Sequence, residues 1–178
     1  MPRIPNVEVL KVVTTLNSRR PQGARFSLSA LFARLARAAV PEEAAPIEDR
    51  IWERWMSDDN AEAEAALDRA TTDIAARRYD IAETRLARLV RRRPDLAEGW
   101  HKLGALHFLL GRDDESLVEM RRSLELEPRH FAALGAIGEI LASGNDRHGA
   151  ALAFAAALRL HPHMTGVRDR LVQLVAAR

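Results

Sequence analysis

Six histidines hold most of the chain's capacity for ligation and acid–base chemistry, because the sequence contains no cysteine. That absence removes a disulfide framework, a thiolate nucleophile, an iron–sulfur cluster and every cysteine-based zinc site. His101 and His107 are six residues apart, which on a helix turns them about 240° from one another. His161 and His163 flank Pro162, while His130 and His148 stand alone in the sequence. No His-Glu-x-x-His pair, Gly-rich phosphate loop or nucleophile elbow occurs. The acidic run Asp113-Asp114-Glu115 precedes a helical pattern, where the helix dipole favours negative charge. Catalysis needs converging groups in a dry pocket. The expectation is therefore no enzymatic activity, no cofactor and no metal.

The elements that position these groups are helical. Of 178 residues, 31 are Ala, 25 are Arg and only nine are Gly, a usage that favours helix. The length suits one domain. Pro94, Pro128 and Pro162 are separated by 34 residues and then 34 again. Each follows a helical pattern and marks its end, since proline cannot continue a helix. Laid on that period, Leu103 and Gly104 align with Ile137 and Gly138. Ala82, Ser116 and Ala150 form a small column, and Leu86, Met120 and Phe154 a large apolar one. Fixed self-similarity at this period marks a solenoid array. Asp80 with Glu83 reads as a capping box, and Gly111 and Gly144 as helix stops.

The segment Trp100-x2-Leu103-Gly104, with Ser116, Met120, Ser123 and Pro128, resembles a tetratricopeptide repeat. So does Leu134 to Pro162, with Gly138, Ala150, Phe154 and Ala157. A more degenerate first unit keeps Ala70, Tyr79, Ala82, Leu86 and Pro94, but has Ala66 and Arg69 where large apolar residues are usual. The resemblance, to small bacterial members without assigned activity among others, implies an all-α, right-handed superhelical solenoid of three helix-turn-helix units with a concave groove. The units are expected at 63–96, 97–130 and 131–164, after a poorly ordered basic segment (1–24) and pre-repeat helices (25–62). A capping helix over 165–178 is expected to use Val167, Leu171, Leu174 and Val175. The pre-repeat stripe Ile47, Ile51, Trp52, Trp55 and Met56, between Pro46 and Ser57, is expected as core or as a cap on the other end.

In the family, the first helix of each unit faces the groove. That places Glu64, Leu67, Thr71 and Ile74 there from the first unit. The second supplies Glu98, His101, Ala105, Phe108 and Leu109, and the third Ala132, Gly135, Glu139 and Ala142. The mixture is small and apolar, suited to an extended peptide or a helix of a partner protein. The Lys/Arg/Asn clamp that some members use for acidic chaperone tails is absent, since Ala132, Gly135 and Ala136 follow His101 and Lys102.

Net charge is +2, but residues 1–40 carry seven basic and one acidic side chain, and 41–62 carry two basic and eight acidic. The head and neck compensate one another, and neither a basic stripe with exposed aromatics nor a groove-entering helix, as nucleic-acid binding usually uses, is read here. No stretch is long and apolar enough for a membrane span. Leu28, Leu31, Phe32, Leu35, Ala36 and Ala39 form an amphipathic stripe over 25–39. It is read mainly as packing on its own domain. Membrane contact or targeting for export is the alternative. The leading expectation is a cytoplasmic protein-interaction scaffold. An anchored accessory protein and a self-associating assembly protein are the alternatives, and the oligomeric state stays open.

Overall fold

The computed structural model describes residues 27–57 and 60–176. The expected basic segment 1–24 lies outside the described residues. Among the described residues the chain forms nine helices and no strand. They are α1 (Leu28–Leu35), α2 (Pro41–Met56), α3 (Ala61–Ala75), α4 (Tyr79–Arg92), α5 (Ala97–Leu109), α6 (Asp113–Leu126), α7 (Phe131–Ser143), α8 (Arg147–Leu160) and α9 (Thr165–Ala176). The pairs α3–α4, α5–α6 and α7–α8 are hairpins. They stack in chain order into a solenoid, α4 against α5, α6 against α7 and α8 against α9.

Each hairpin turns at the same place in the period. The first helix ends in a left-handed residue, Arg77 (φ 58°), Gly111 (φ 74°) or Asn145 (φ 65°). The next N–H then reaches back five residues. Arg78 donates to the Asp73 carbonyl (2.8 Å), Arg112 to His107 (2.9 Å) and Asp146 to Leu141 (2.9 Å). This closure satisfies carbonyls that the helix end leaves free. Gly111 occupies the left-handed position, whereas Gly144, read from the sequence as the equivalent stop, is the C-cap at φ −82°. Asn145 takes the left-handed place instead, which its short polar side chain tolerates.

Helix starts follow local side-chain chemistry. Ser27 accepts from the Ala30 N–H at 3.2 Å, Asn60 from Glu62 at 2.9 Å and Asp146 from Gly149 at 2.9 Å. The capping box read at Asp80 and Glu83 does not form. Arg78 is the N-cap of α4 without a side-chain cap. Asp80 is thus already inside the first turn, and Glu83 pairs with Arg112 at 2.7 Å.

Within the hairpins, Ala82, Ser116 and Ala150 are fully buried, as are Leu86, Met120 and Phe154. The Ser116 hydroxyl donates to the Gly104 carbonyl at 2.7 Å, joining α6 to α5 where only a small residue fits. Each large side chain of the second column contributes roughly 1.5–3 kcal/mol by leaving water. At the C-terminal end, α9 buries Val167 and lays Leu171 and Leu174 on the Ala150–Phe154–Ala157 cluster. Val175, read as part of that stripe, is 63% exposed. It lies about 80° around the helix from Val167.

The N-terminal helices do not cap the other end. α1 packs on α2, and α2 packs on α5. Their core includes Phe131 and Ala132 from the head of α7. Helix α2 begins at Pro41 and carries Pro46 within it, so the helix starts five residues before the boundary read at Pro46. Helix α1 stops at Leu35 with Ala36 as its C-cap, leaving Ala36 and Ala39 exposed. Leu31, Phe32 and Leu35 are buried, with Phe32 against Trp55 and Phe131 at centroid distances of 6.1 and 6.3 Å. The face considered for membrane contact is therefore given to the protein interior. Among the described residues, no helix is long and apolar enough to cross a membrane.

Candidate functional site

The inner face of the array centres on α5, whose sequence is apolar apart from Glu98, His101, Lys102 and His107. Glu98, His101 and Lys102 lie within one turn of each other, and all three are buried. His130, the N-cap of α7, is brought beside them by the stacking of α7 on α5. Its Nδ1 accepts from the Ala133 N–H at 3.3 Å. Its Nε2–H then donates to the Glu98 carboxylate at 3.0 Å. His101 Nδ1 lies 3.3 Å and the Lys102 ammonium 3.5 Å from the same carboxylate.

Burial alone would raise the Glu98 carboxyl, but His101, Lys102 and His130 outweigh it and hold it well below the ordinary range. Burial pushes His101 down to about 4, against the pull of Glu98, so its ring is neutral at pH 7. Burial also lowers Lys102. Glu98, His101 and His130 have the donor types of a metal site, with ligand atoms within 4.8 Å of one another. The hydrogen bonds argue against that use. The inward Nε2 of His130 carries its proton because Nδ1 is taken by a backbone N–H, and an ammonium already sits on the carboxylate. The arrangement is a buried ion pair flanked by imidazoles, closed to substrate.

Helix α2 closes it. The Trp55 ring stacks on His130 at 4.1 Å and 10°. Trp52 lies 5.8 Å from His101 and meets Phe131 edge-on at 5.7 Å. Lys102 Nζ is 5.8 Å from the Trp52 ring centroid. Around this aromatic seat runs a polar rim. Trp52 Nε1–H donates to Glu48 at 3.2 Å, and Glu48 pairs with His161 at 3.0 Å. His163 Nε2 bonds the Ala38 carbonyl at 2.8 Å. Arg129 reaches the Ser29 hydroxyl at 3.2 Å and covers the Phe32 ring at 4.9 Å. Glu48 is held below its usual range, because His161 and Trp52 overcome the effect of burial.

None of the residues read as an open groove is fully exposed. Leu67, Ile74, Ala105 and Leu109 are core residues, with Phe108 packed against the same cluster. Thr71 is buried and donates to the Leu67 carbonyl at 3.0 Å. Glu98 and His101 lie under α2, and Ala132 belongs to the core that α1 and α2 share with α7. Gly135 and Glu139 face α9 instead. A Cβ on Gly135 would lie 3.5 Å from Val167, and Glu139 pairs with Arg170 at 3.0 Å. Glu64 and Ala142 are half-buried. The physical reason is shared. Gly135 and Glu139 are the period-equivalents of His101 and Ala105, and of Leu67 and Thr71. At these positions the next element of the stack, or α2, covers the helix. Sequence reasoning did not bring His130, Lys102, Trp52 and Trp55 together. The available signal was the charged triplet Glu98, His101 and Lys102 inside an otherwise apolar helix.

A second polar network joins α4, α5 and α6. His107 Nδ1 lies 2.7 Å from Glu119 and Nε2 3.3 Å from Glu83. Burial lowers His107, but the two carboxylates outweigh it and leave its pKa raised.

No protein-family model matches the chain. It is similar to a TPR repeat-containing protein of Rhizobium etli, with 32% identity over 121 residues, or 67% of this chain and 59% of that protein. The match thus spans less than two thirds of the relative's length.

Proposed function

The chain belongs to the tetratricopeptide-repeat family, and from that premise we propose a non-catalytic protein-interaction scaffold whose concave groove is closed by its own α1–α2 hairpin. A peptide or helix of a partner protein takes the groove when the hairpin yields. The observation that carries this reading is the seat of α2. An amphipathic helix lies across α5 and the head of α7 with two tryptophans as anchors, which is the helix-in-groove mode of recognition. The rim is polar, as in interfaces that exchange. Glu98, His101 and Phe131 are the partner's contacts in this reading, replacing those to Trp52 and Trp55.

The test is crosslinking capture from native cells with the wild-type chain and with Trp52→Ala/Trp55→Ala. Opening the hairpin is expected to increase capture, with crosslinks on α5 and α7. Excess synthetic peptide of residues 41–56 is expected to displace the captured protein. Capture indifferent both to the double substitution and to the peptide, with the repeats still folded by circular dichroism, would overturn the reading.

A further inference from the structure

We infer that the N-terminal end of the array is a second docking surface, built for an acidic amphipathic helix of a partner protein. The repeat register points to it. In the second unit the N-terminal half of α5 packs on the preceding hairpin, where a Cβ on Gly99 would lie 3.4 Å from Val90 and 3.6 Å from Leu89. Trp100 and Leu103 flank that contact and belong to or pack on the same core. Their equivalents one period earlier are Ala66 and Arg69. The preceding hairpin, α1–α2, lies in the groove and not on this end. Ala66 and Arg69 instead line an open cleft of about 520 Å³ between α3 and α4.

The chemistry of the cleft selects its occupant. Ala66, Leu89 and Ile81 give it apolar surface, and Ile81 is 43% exposed. Arg69, Arg85, Arg88, Arg92 and Arg93 also line it, against the acidic Glu62 and Asp80. Arg92 is taken by Glu62 at 2.8 Å, Arg85 by Asp73 at 3.1 Å and Arg93 by Asp95 at 3.1 Å. Arg69 and Arg88 are exposed, and among the described residues neither forms an ion pair. A helix is the shape that the stack places at every other hairpin interface. Apolar residues on its inner ridge fit Ala66 and Ile81, and carboxylates on its flanks fit the arginines. The chain's own segment 1–26, with five basic residues and one acidic, has the wrong charge for this cleft.

The experiment titrates the full chain into a labelled helical peptide with a Leu/Ala ridge and Glu flanks, followed by anisotropy. A Lys-flanked version and a single-stranded RNA oligomer of equal length serve as comparisons. The Glu peptide is expected to bind saturably, and the Lys peptide not to bind. Arg69→Glu/Arg88→Glu, both at exposed positions, is expected to weaken binding by roughly tenfold. Ile81→Ser, which leaves every arginine in place, is expected to weaken it as well. The inference is overturned if the Glu peptide does not bind, or if either variant leaves its affinity unchanged. RNA binding more tightly through the same arginines would make the cleft a nucleic-acid surface and overturn it. Concentration-dependent dimers abolished by the double variant would make the occupant a second copy, and would also overturn it.

Discussion

Gly138→Ala should destabilise the protein, although the same change in an ordinary helix interior helps. Replacing a helical glycine with alanine gains about 1 kcal/mol of helix propensity. At this position the new Cβ would sit 2.4 Å from both Cδ1 and Cε1 of Phe154, and 3.0 Å from its Cγ. Carbon atoms prefer about 3.5–4.0 Å, so the ring must retreat by about an ångström. Phe154 is fully buried and enclosed with Ala150, Ala157 and Val167, so no free rotamer lies nearby. Overpacking of this kind costs about 1–3 kcal/mol, and so short a contact belongs at the upper end. The net loss is about 2 kcal/mol, which in a domain of this size lowers Tm by roughly 4–8 °C. Gly99→Ala is the internal control. Its nearest neighbour is Val90 at 3.4 Å, an ordinary contact, so the propensity gain survives and Tm should rise by about 2–4 °C. Thermal melts followed by far-UV circular dichroism read both. Shifts of the same sign at the two glycines would refute the packing argument. Phe154→Leu should recover part of the loss in the Gly138→Ala background.

Glu98→Ala removes the carboxylate 3.5 Å from the buried Lys102 ammonium and leaves it the attraction of Asp68, and should cost about 3 kcal/mol in chemical denaturation, the low end for breaking a buried pair. Adding Lys102→Met should restore most of it, and an unrescued double variant would show that the pair is not the cause. Trp55→Ala should release α1 and α2 while the repeats stay folded. The check is hydrogen exchange, in which protection is lost over 28–56 and kept over 79–160; uniform loss would mean that the seat and the repeats unfold as one unit. The pH response has two limbs. His101 titrates at about 4 in the fold against an ordinary 6.5, so the undocked chain takes up a proton that the docked chain refuses. The seat is fully stable above pH 6.5 and weakens as pH falls from 6.5 towards 4. Glu98, lowered in the fold, adds to that loss below its unfolded value. Trp52 and Trp55 fluorescence in a Trp100→Phe background should report this change, and a flat signal across the window would contradict it. His107, raised by Glu119 and Glu83, acts oppositely. Its stabilisation is complete below pH 6.5 and fades as pH rises through its folded pKa, a limb that His107→Gln should remove in pH-dependent melts.

The repeat itself was legible because its signal is local and repeated. Prolines, small columns and large columns recur every 34 residues, and three copies reinforce one another. The turns were half legible. Gly111 advertises a left-handed residue, but Asn145 does so weakly beside Gly144, and Arg77 does not at all, since its conformation is imposed by the helix closure around it. The candidate site was the least legible part. Periodicity shows that α2 has an apolar stripe, yet the same stripe fits a cap on the array's end or a plug in its groove. The choice depends on which surface matches Trp52 and Trp55, and that surface is assembled from Glu98, His101 and His130, residues up to 32 positions apart. The degenerate positions Ala66 and Arg69 carried the missing information. A hairpin seated on the end would have buried Arg69, and the exposed arginine there fits a chain whose hairpin lies elsewhere.

A groove closed by its own hairpin changes what affinity measurements will read. Trp52 and Trp55 are 5% and 6% exposed, and burying each contributes about 2 kcal/mol or more. Together they would hold the open form near one molecule in ~10³. A partner's apparent affinity is reduced by that same fraction, so a contact intrinsically nanomolar would register as micromolar. Trp52→Ala/Trp55→Ala should then tighten partner binding by roughly a thousandfold, without adding any contact. Acidification to pH 5 should not reproduce this gain, because a partner seated on His101 buries the same ring that α2 buries, and protonation opposes both. A partner bound equally well by the closed and opened chains must contact a surface that α2 does not cover, and the arginine-lined end of the array is such a surface.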